Sequence, residues 1–160
     1  MSSDFQKGLT AYESGDYPTA LRSWKPLAKQ GNTDAQYLLG LMYENGKEVR
    51  QNYKTAVKWY TLAAKQGNVG AQLNLGVMYD TQFNLGVMYD KGVYRKGEGF
   101  LQDDKTAVKW YTLAAEQGNA NAQTLLGFVY SLGEGVIKDY VRAHMWFNIA
   151  ASSGESKDAS

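Results

Sequence analysis

The feature that most constrains the fold is an internal repeat that returns almost letter for letter. The segment KTAVKWYTLAAKQGN at residues 54–68 reappears as KTAVKWYTLAAEQGN at residues 105–119. A second element, AQYLLGLMYENG at residues 35–46, has counterparts at residues 71–80 and 122–133. Its Ala-Gln pairs are 36 and then 51 residues apart, so one unit carries 15 extra residues. A repeat of about 36 residues indicates a stack of similar supersecondary units.

Fainter copies of the first element extend the repeat along the chain. They read YPTALRSWKPLAKQGN at residues 17–32 and YVRAHMWFNIAASSGE at residues 140–155. Each copy holds one tryptophan, and the four tryptophans recur at steps of 35, 51 and 36 residues. Because tryptophan is large and mostly apolar, its recurrence predicts one core position in each unit. The four residues are Trp24, Trp59, Trp110 and Trp146.

The tryptophan element has the pattern of an amphipathic α-helix. Its apolar residues fall at spacings of three and four, which places them on one helix face. They are Ala56, Trp59, Tyr60, Ala63 and Ala64. Gly67 follows the last turn, where a left-handed residue ends a helix at little cost. Asn68 comes next and can cap the following helix. The same stop-and-start signal recurs at Gly31-Asn32 and Gly118-Asn119.

The other element is also predicted to be a helix, with Ala35, Leu39 and Tyr43 as its buried stripe. A glycine inside a helix costs about 1 kcal/mol relative to alanine. A glycine that recurs at one repeat position therefore indicates that a neighbouring helix passes close to it. The recurring glycines are Gly40, Gly76 and Gly127.

Each unit is thus predicted to be a helical hairpin, and the fold class is all-α. One hairpin cannot bury both of its faces, whereas stacked hairpins share a continuous core. We expect a single domain over residues 1–160 with a polar tail at 155–160. The predicted hairpins span about 4–31, 33–67, 69–118 and 120–154.

The combined pattern, AQxxLGxMYxxG followed by YxxAxxWYxxAAxQG, resembles the Sel-1-like repeat family. This resemblance implies a TPR-like, right-handed α-solenoid whose concave face binds proteins or peptides. It also implies a non-catalytic scaffold or adaptor of the kind found in bacterial signalling, in host interaction and in eukaryotic quality control. Some bacterial members tie each hairpin with a disulfide, but this chain has no cysteine. The resemblance is fullest over residues 35–67.

The 15 extra residues come from two tandem duplications. NLGVMYD occurs at 74–80 and again at 84–90, and YDKG at 89–92 is echoed by YRKG at 94–97. Tyr79 keeps the spacing to the upstream Ala-Gln pair. Three hypotheses remain open: a helix continued to about residue 91, a looped-out insert, and self-association or segment exchange. The apolar candidates for self-association are Phe83, Leu85, Val87 and Met88.

Partner binding is predicted on the first helix of each hairpin, because its positions beside the buried stripe differ from repeat to repeat. Such positions line the concave face of TPR-like solenoids. An alternative function is a self-assembling structural protein in which segment 81–95 makes the contact. The candidate partner-binding residues are Tyr37, Leu38, Leu41, Glu44, Leu73, Asn74, Val77, Asp80, Thr124, Leu125 and Phe128.

Composition and motifs argue against catalysis and against several kinds of ligand. The chain has a formal charge of +1, which does not favour a nucleic-acid partner. Without cysteine there is no thiolate metal site, and the single histidine, His144, has no partners at metal-ligand spacing. Asp103 and Asp104 precede a predicted helix and are expected to cap it. We therefore predict neither an enzyme nor a cofactor.

The sequence has no stretch of 18 apolar residues, so no membrane-spanning helix is expected. The start, MSSDFQKG, is not a signal peptide, which predicts a cytoplasmic protein. A periplasmic or secreted protein remains the alternative if a signal peptide has been removed.

Overall fold

The computed structural model describes residues 3–80 and 103–158. All regular secondary structure in this part of the chain is α-helical, which confirms the predicted class. None of the helices within these ranges is both long and apolar enough to cross a bilayer. The helices are α1 (Ser3–Glu13), α2 (Tyr17–Lys29), α3 (Thr33–Asn45), α4 (Tyr53–Lys65), α5 (Val69–Tyr79), α6 (Asp104–Glu116), α7 (Ala120–Leu132) and α8 (Tyr140–Asp158).

Side-chain caps set most of the helix starts. Asn32, Asn68 and Asn119 each accept a hydrogen bond from the backbone N–H three residues later, at 2.8 to 2.9 Å. This confirms that the Gly-Asn pairs separate successive hairpins. Asn52 and Asp103 cap the second helix of their hairpins in the same way, at 3.1 Å. The predicted capping role of Asp103 is therefore confirmed.

The same backbone hydrogen bond closes three hairpins at their loop ends. The N–H of the residue that caps the second helix donates to the carbonyl of a tyrosine near the end of the first helix. The bond is present in all three hairpins, although the number of residues between its donor and its acceptor differs. The bonds run from Asn52 to Tyr43 (3.0 Å), from Asp103 to Tyr79 (3.1 Å) and from Asp139 to Tyr130 (2.9 Å).

The extra 15 residues of the third repeat therefore lie between Tyr79 and Asp103, in agreement with the expected upstream register of Tyr79. Helix α5 ends at Tyr79. The three hypotheses for the insertion concern residues 81–102, which lie outside the described residues. The candidates Phe83, Leu85, Val87 and Met88 lie there as well.

The chain divides into two compact units, Met1–Ala71 and Gln72–Ser160. The first unit contains α1 to α4, and its largest fully buried side chains are Trp24, Leu39, Met42 and Tyr60. The second unit contains most of α5 together with α6 to α8, and its largest fully buried side chains are Leu75, Tyr111 and Leu126. The single domain over residues 1–160 stays a prediction.

In each described hairpin, a glycine of the first helix lies against an aromatic ring of the second helix. A Cβ atom at any of these glycines would overlap with ring atoms, so the close approach predicted for Gly40, Gly76 and Gly127 is confirmed. The neighbour in each case is a side chain of the same hairpin. The pairs are Gly8 with Trp24, Gly40 with Tyr60, Gly76 with Tyr111 and Gly127 with Phe147.

The expectation that the four tryptophans share one core position is wrong for the first hairpin. Trp24 lies against Gly8 as Tyr60 lies against Gly40, so Trp24 occupies the position of Tyr60 rather than that of Trp59. This shift by one residue explains the step of 35 where the repeat has 36. Trp24 and Trp110 are buried, whereas Trp59 and Trp146 are half-buried.

The buried stripe of α3 also differs from the expectation at one residue. Met42 is fully buried, whereas Tyr43 is only half-buried. At 100° per residue, Met42 lies about 20° from Ala35 around the helix and Tyr43 about 80° from it. Met42 is therefore the residue that continues the stripe.

Candidate functional site

The predicted binding positions lie on the first helices, beside a stripe that is almost completely buried. In α3 the stripe contains Ala35, Gln36 and Leu39, and its counterparts in α5 and α7 are equally buried. All the candidate positions are half-buried except Phe128, which is 53% exposed. In the first unit they are Tyr37, Leu38, Leu41 and Glu44; in the second they are Leu73, Asn74, Val77, Asp80, Thr124, Leu125 and Phe128.

Two of the candidates in the first unit contribute to internal packing. The ring of Tyr37 lies 5.9 Å from that of Tyr60, centroid to centroid. Its other neighbour is Gly70, where an added Cβ would lie 2.9 Å from the Tyr37 ring carbon Cζ. Leu38 packs against the core of the same unit. Substitution of Tyr37 or Leu38 would thus disturb the fold as well as any binding surface.

Two other candidates, Glu44 and Asp80, accept hydrogen bonds from buried tyrosines. The hydroxyl of Tyr60 donates to the carboxylate of Glu44, and that of Tyr111 donates to the carboxylate of Asp80 at 3.0 Å. Burial raises the pKa of Tyr111 well above its usual value, and the negative charge of Asp80 raises it further. Tyr111 therefore stays protonated and remains a donor. In both hairpins the carboxylate anchors the end of the first helix to the second.

The glutamine of each Ala-Gln pair is a buried hydrogen-bonding residue that the sequence did not reveal. Gln36 donates to the carbonyl of Ala28 in the preceding hairpin at 3.1 Å and accepts from Gln66 of its own hairpin at 2.8 Å. In the second unit, Gln123 donates to the carbonyl of Ala115 at 3.1 Å. Gln36 and Gln123 thus each join two consecutive hairpins of one unit by a polar contact inside the core.

The pattern of the repeat held a signal for this role. A glutamine that follows an alanine at the same position in three repeats is unusual on a stripe that is otherwise apolar. Buried polar side chains are almost always hydrogen-bonded, so such a glutamine predicts a nearby backbone partner. The three residues, Gln36, Gln72 and Gln123, are each only 3% exposed.

In the part of the chain that the structure describes, the titratable side chains show no catalytic arrangement. His144 is exposed, and its Nδ1 atom lies 3.1 Å from the side-chain amide nitrogen of Asn148. Hydrogen bonds from the side chain and the backbone of Thr106 lower the pKa of Asp103, as expected of a helix cap. Within residues 3–80 and 103–158, no group of three or more His, Cys, Asp or Glu residues could hold a metal ion.

Among the described residues, α8 exposes large apolar side chains at positions where α6 has lysines. Val141 is 81% exposed, and Met145 is exposed one turn further along α8. The equivalent positions in α6 are Lys105 and Lys109. Sequence reasoning overlooked this change from lysine to apolar residues, although a comparison of the aligned repeats shows it.

Helical hairpins that repeat about every 36 residues, joined by buried glutamines, define an α-solenoid protein. The model of the Sel1 repeat matches residues 33–68, 69–82, 80–119 and 120–155. These matches cover most of the chain, and the chain therefore belongs to the Sel1 repeat family. Two of the matches meet at residues 80–82, where the duplicated segment begins.

Two solved bacterial structures are similar to this chain. A Sel1 repeat protein from Oxalobacter formigenes is 32% identical, with a TM-score of 0.74, over 98% of this chain and 57% of that one. The second is c5321, a protective antigen of uropathogenic Escherichia coli strains with an SLR fold; it is 38% identical, with a TM-score of 0.76. That match covers 94% of this chain and 30% of c5321. The chain thus spans little more than half of one relative and less than a third of the other. No curated protein matches the chain.

Proposed function

We propose that this chain is a non-catalytic scaffold that binds a protein or peptide partner through the first helices of its hairpins. Sel1 repeat proteins are generally protein-interaction scaffolds, and the family is not one of enzymes. The proposal goes further by assigning the contact to the half-buried positions beside the buried stripe, on the concave face of the solenoid.

The observation that supports this assignment is a difference between two sets of positions on the same helices. Along the buried stripe, α5 and α7 keep the same residue at most positions, such as Leu75 and Leu126. Beside the stripe the residues differ, as between Asn74 and Leu125. Packing therefore explains the constant positions, whereas the variable positions are available for the recognition of a particular partner.

The second unit offers the cleaner test, because Asn74 and Leu125 are half-buried and neither is an aromatic residue packed on another ring as Tyr37 is. The chain is used to capture partners, and each captured protein is then purified for titration calorimetry. We expect Asn74→Arg combined with Leu125→Arg to weaken binding at least about tenfold, the effect of losing about 1.4 kcal/mol. Lys109→Glu, an exposed change on the other helix of the α5–α6 hairpin, is the matched control.

Thermal unfolding of each variant separates a loss of binding from a loss of fold. The assignment is wrong if the doubly substituted protein remains folded and binds every purified partner as tightly as the unchanged chain. A partner affected only by Lys109→Glu would place the contact on the second helices instead.

The self-assembly function of segment 81–95 rests on a different feature. Deletion of residues 81–95 leaves eight residues between Tyr79 and Asp103, the number found between Tyr43 and Asn52. A scaffold keeps its captured partner after this deletion, whereas a self-assembling protein loses its oligomer.

A further inference from the structure

Within the second unit, the second helix of the α5–α6 hairpin is covered by the hairpin that follows it. In α6, Ala114 and Ala115 are buried, and the carbonyl of Ala115 accepts the hydrogen bond from Gln123. In α8 the equivalent residues are Ala150, which is half-buried, and Ala151, which is exposed. We call the surface formed by Phe128, Phe147, Ala150 and Ala151 the end face of the α7–α8 hairpin.

A second copy of a first helix is present in the sequence of the chain. Residues 71–80 read AQLNLGVMYD and residues 81–90 read TQFNLGVMYD, so eight of ten positions are identical. The copy includes Gln82, the counterpart of the buried Gln72. Leu85 and Met88 likewise repeat Leu75 and Met78, which are both buried in α5.

We propose that residues 81–90 of one molecule dock on the end face of a second molecule, in the way that a first helix docks on the preceding hairpin. In this contact the side chain of Gln82 donates a hydrogen bond to the carbonyl of Ala151, as Gln123 donates to the carbonyl of Ala115. This proposal goes beyond partner binding, since it uses a different surface, and it gives the self-association of the insertion a defined receptor.

The end face of the same molecule is out of reach of the segment. Gln82 is two residues from Asp80, which places it within about 7 Å of Asp80 at full extension. Asp80 lies at the loop end of its hairpin, because it follows Tyr79, whose carbonyl accepts the backbone hydrogen bond from Asp103. The loop of the next hairpin lies at the same end, because a Cβ at Gly135 would lie 2.6 Å from the carbonyl carbon of Asp104.

Ala151 lies at the other end of α8. It is 12 residues after Asp139, the residue whose backbone closes the loop of that hairpin. Twelve residues of α-helix measure about 18 Å, more than twice the reach of Gln82. The receptor is therefore the end face of another copy of the chain. Each molecule has one segment and one end face, so two molecules can pair reciprocally in a closed dimer.

The α1–α2 hairpin of a second molecule fits the end face less well than segment 81–90 does. In α1, the position equivalent to Gln36 is Asp4, four residues before Gly8 as Gln36 is before Gly40. An ionised aspartate cannot donate a hydrogen bond to a carbonyl. The groove between α1 and α2 also contains the charged side chains Asp4, Lys7 and Arg22. Head-to-tail stacking would place these charges against the apolar end face.

Two variants of the full chain test the proposal by complementation. The first lacks residues 81–90 and keeps the end face; the second carries Ala151→Arg and keeps the segment. We expect the unchanged chain to dimerise in light-scattering measurements and each variant alone to be monomeric. An equimolar mixture of the two should form a 1:1 complex, because it contains one intact segment and one intact end face. Ser152→Arg, at an exposed neighbouring position, should dimerise normally.

A further substitution tests the hydrogen bond of the proposed contact. Gln82→Ala should weaken the closed dimer about thirtyfold, the effect of losing one net hydrogen bond of about 1 kcal/mol at each of its two contacts. The proposal is overturned if the unchanged chain is monomeric at every concentration or if the mixture does not associate. A dimer that survives deletion of 81–90 but not Ala151→Arg would also overturn it, in favour of another occupant of the end face. None of these outcomes depends on the capture of a different protein, so failure here leaves the scaffold function to its own test.

Discussion

Replacement of Gln36 by leucine removes two hydrogen bonds from the interior of the first unit and leaves a side chain of similar size. The lost bonds are those to the carbonyl of Ala28 (3.1 Å) and from the side-chain amide of Gln66 (2.8 Å). Because Gln36 is 3% exposed, water cannot replace them without opening the contact between hairpins. We expect Gln36→Leu to destabilise the protein.

The size of the destabilisation depends on the hydrogen bonds that Ala28 and Gln66 still make after the substitution. The carbonyl of Ala28 still accepts from the N–H of Gly31 at 3.1 Å, and the amide of Gln66 still donates to the carbonyl of Gly31 at 3.2 Å. Neither group is left without a partner, so the cost is the net value of two hydrogen bonds, about 2 kcal/mol. Burial of the more apolar leucine offsets part of this. The expected decrease in the free energy of unfolding is about 1.5 kcal/mol.

Urea unfolding followed by helical circular dichroism and by tryptophan fluorescence measures this change. Gln30→Leu is the matched control, because Gln30 is exposed and its replacement should change stability by less than about 0.5 kcal/mol. If Gln36→Leu proves as stable as Gln30→Leu, the buried glutamine does not join the hairpins energetically. That result would refute the role assigned to the Ala-Gln pair.

Three other substitutions give expected outcomes that the same unfolding assay can check. Gly40→Ala should destabilise by about 2 kcal/mol because its Cβ meets the ring of Tyr60, whereas Gly154→Ala, in open space on α8, should stabilise by up to about 1 kcal/mol. Equal effects of the two changes would contradict the close approach. Glu48 is a non-glycine residue with a φ of 58°, so Glu48→Gly should raise the free energy of unfolding of the protein by about 1 kcal/mol. An unchanged stability would mean that the backbone at Glu48 is not strained. The pKa of Asp103 is lower in the folded protein than its unfolded value of 3.8, so the ionised carboxylate stabilises the fold at pH values above 3.8. This stabilisation should disappear as the pH falls through the folded pKa. Asp103→Asn should remove this part of the pH dependence of stability, and an unchanged dependence would contradict the capping interaction.

The sequence predicts those parts of the fold that depend on residues close together in the chain. The Gly-Asn pairs locate the hairpin boundaries because the cap bond spans only three residues, as from Ala35 to Asn32. The recurring glycine likewise indicates a close approach, because only a close neighbour explains its cost inside a helix. The identity of that neighbour is harder to predict. Trp24 occupies the position that Tyr60 has in the next repeat, so an alignment of the repeats on their tryptophans places Trp24 one residue out of register.

The functional positions are harder to predict because their roles depend on distant residues. Gln36 looks like an ordinary polar residue until the carbonyl of Ala28, on the previous hairpin, is placed beside it. Glu44 and Asp80 look like surface carboxylates, yet each accepts a hydrogen bond from a tyrosine of the facing helix. The sequence identifies which positions vary, whereas the contacts decide which of those positions also support the fold.

The backbone bond between Asp103 and Tyr79 has a consequence for how this chain can change in length. The bond closes its hairpin across 23 intervening residues, where the bond between Asn52 and Tyr43 spans eight. For a flexible connection in general, an increase from eight to 23 residues costs only about 1 kcal/mol more in chain entropy. The site after Tyr79 can therefore accept new sequence at small thermodynamic cost, by duplication in evolution or by the grafting of an epitope or a reporter peptide in the laboratory.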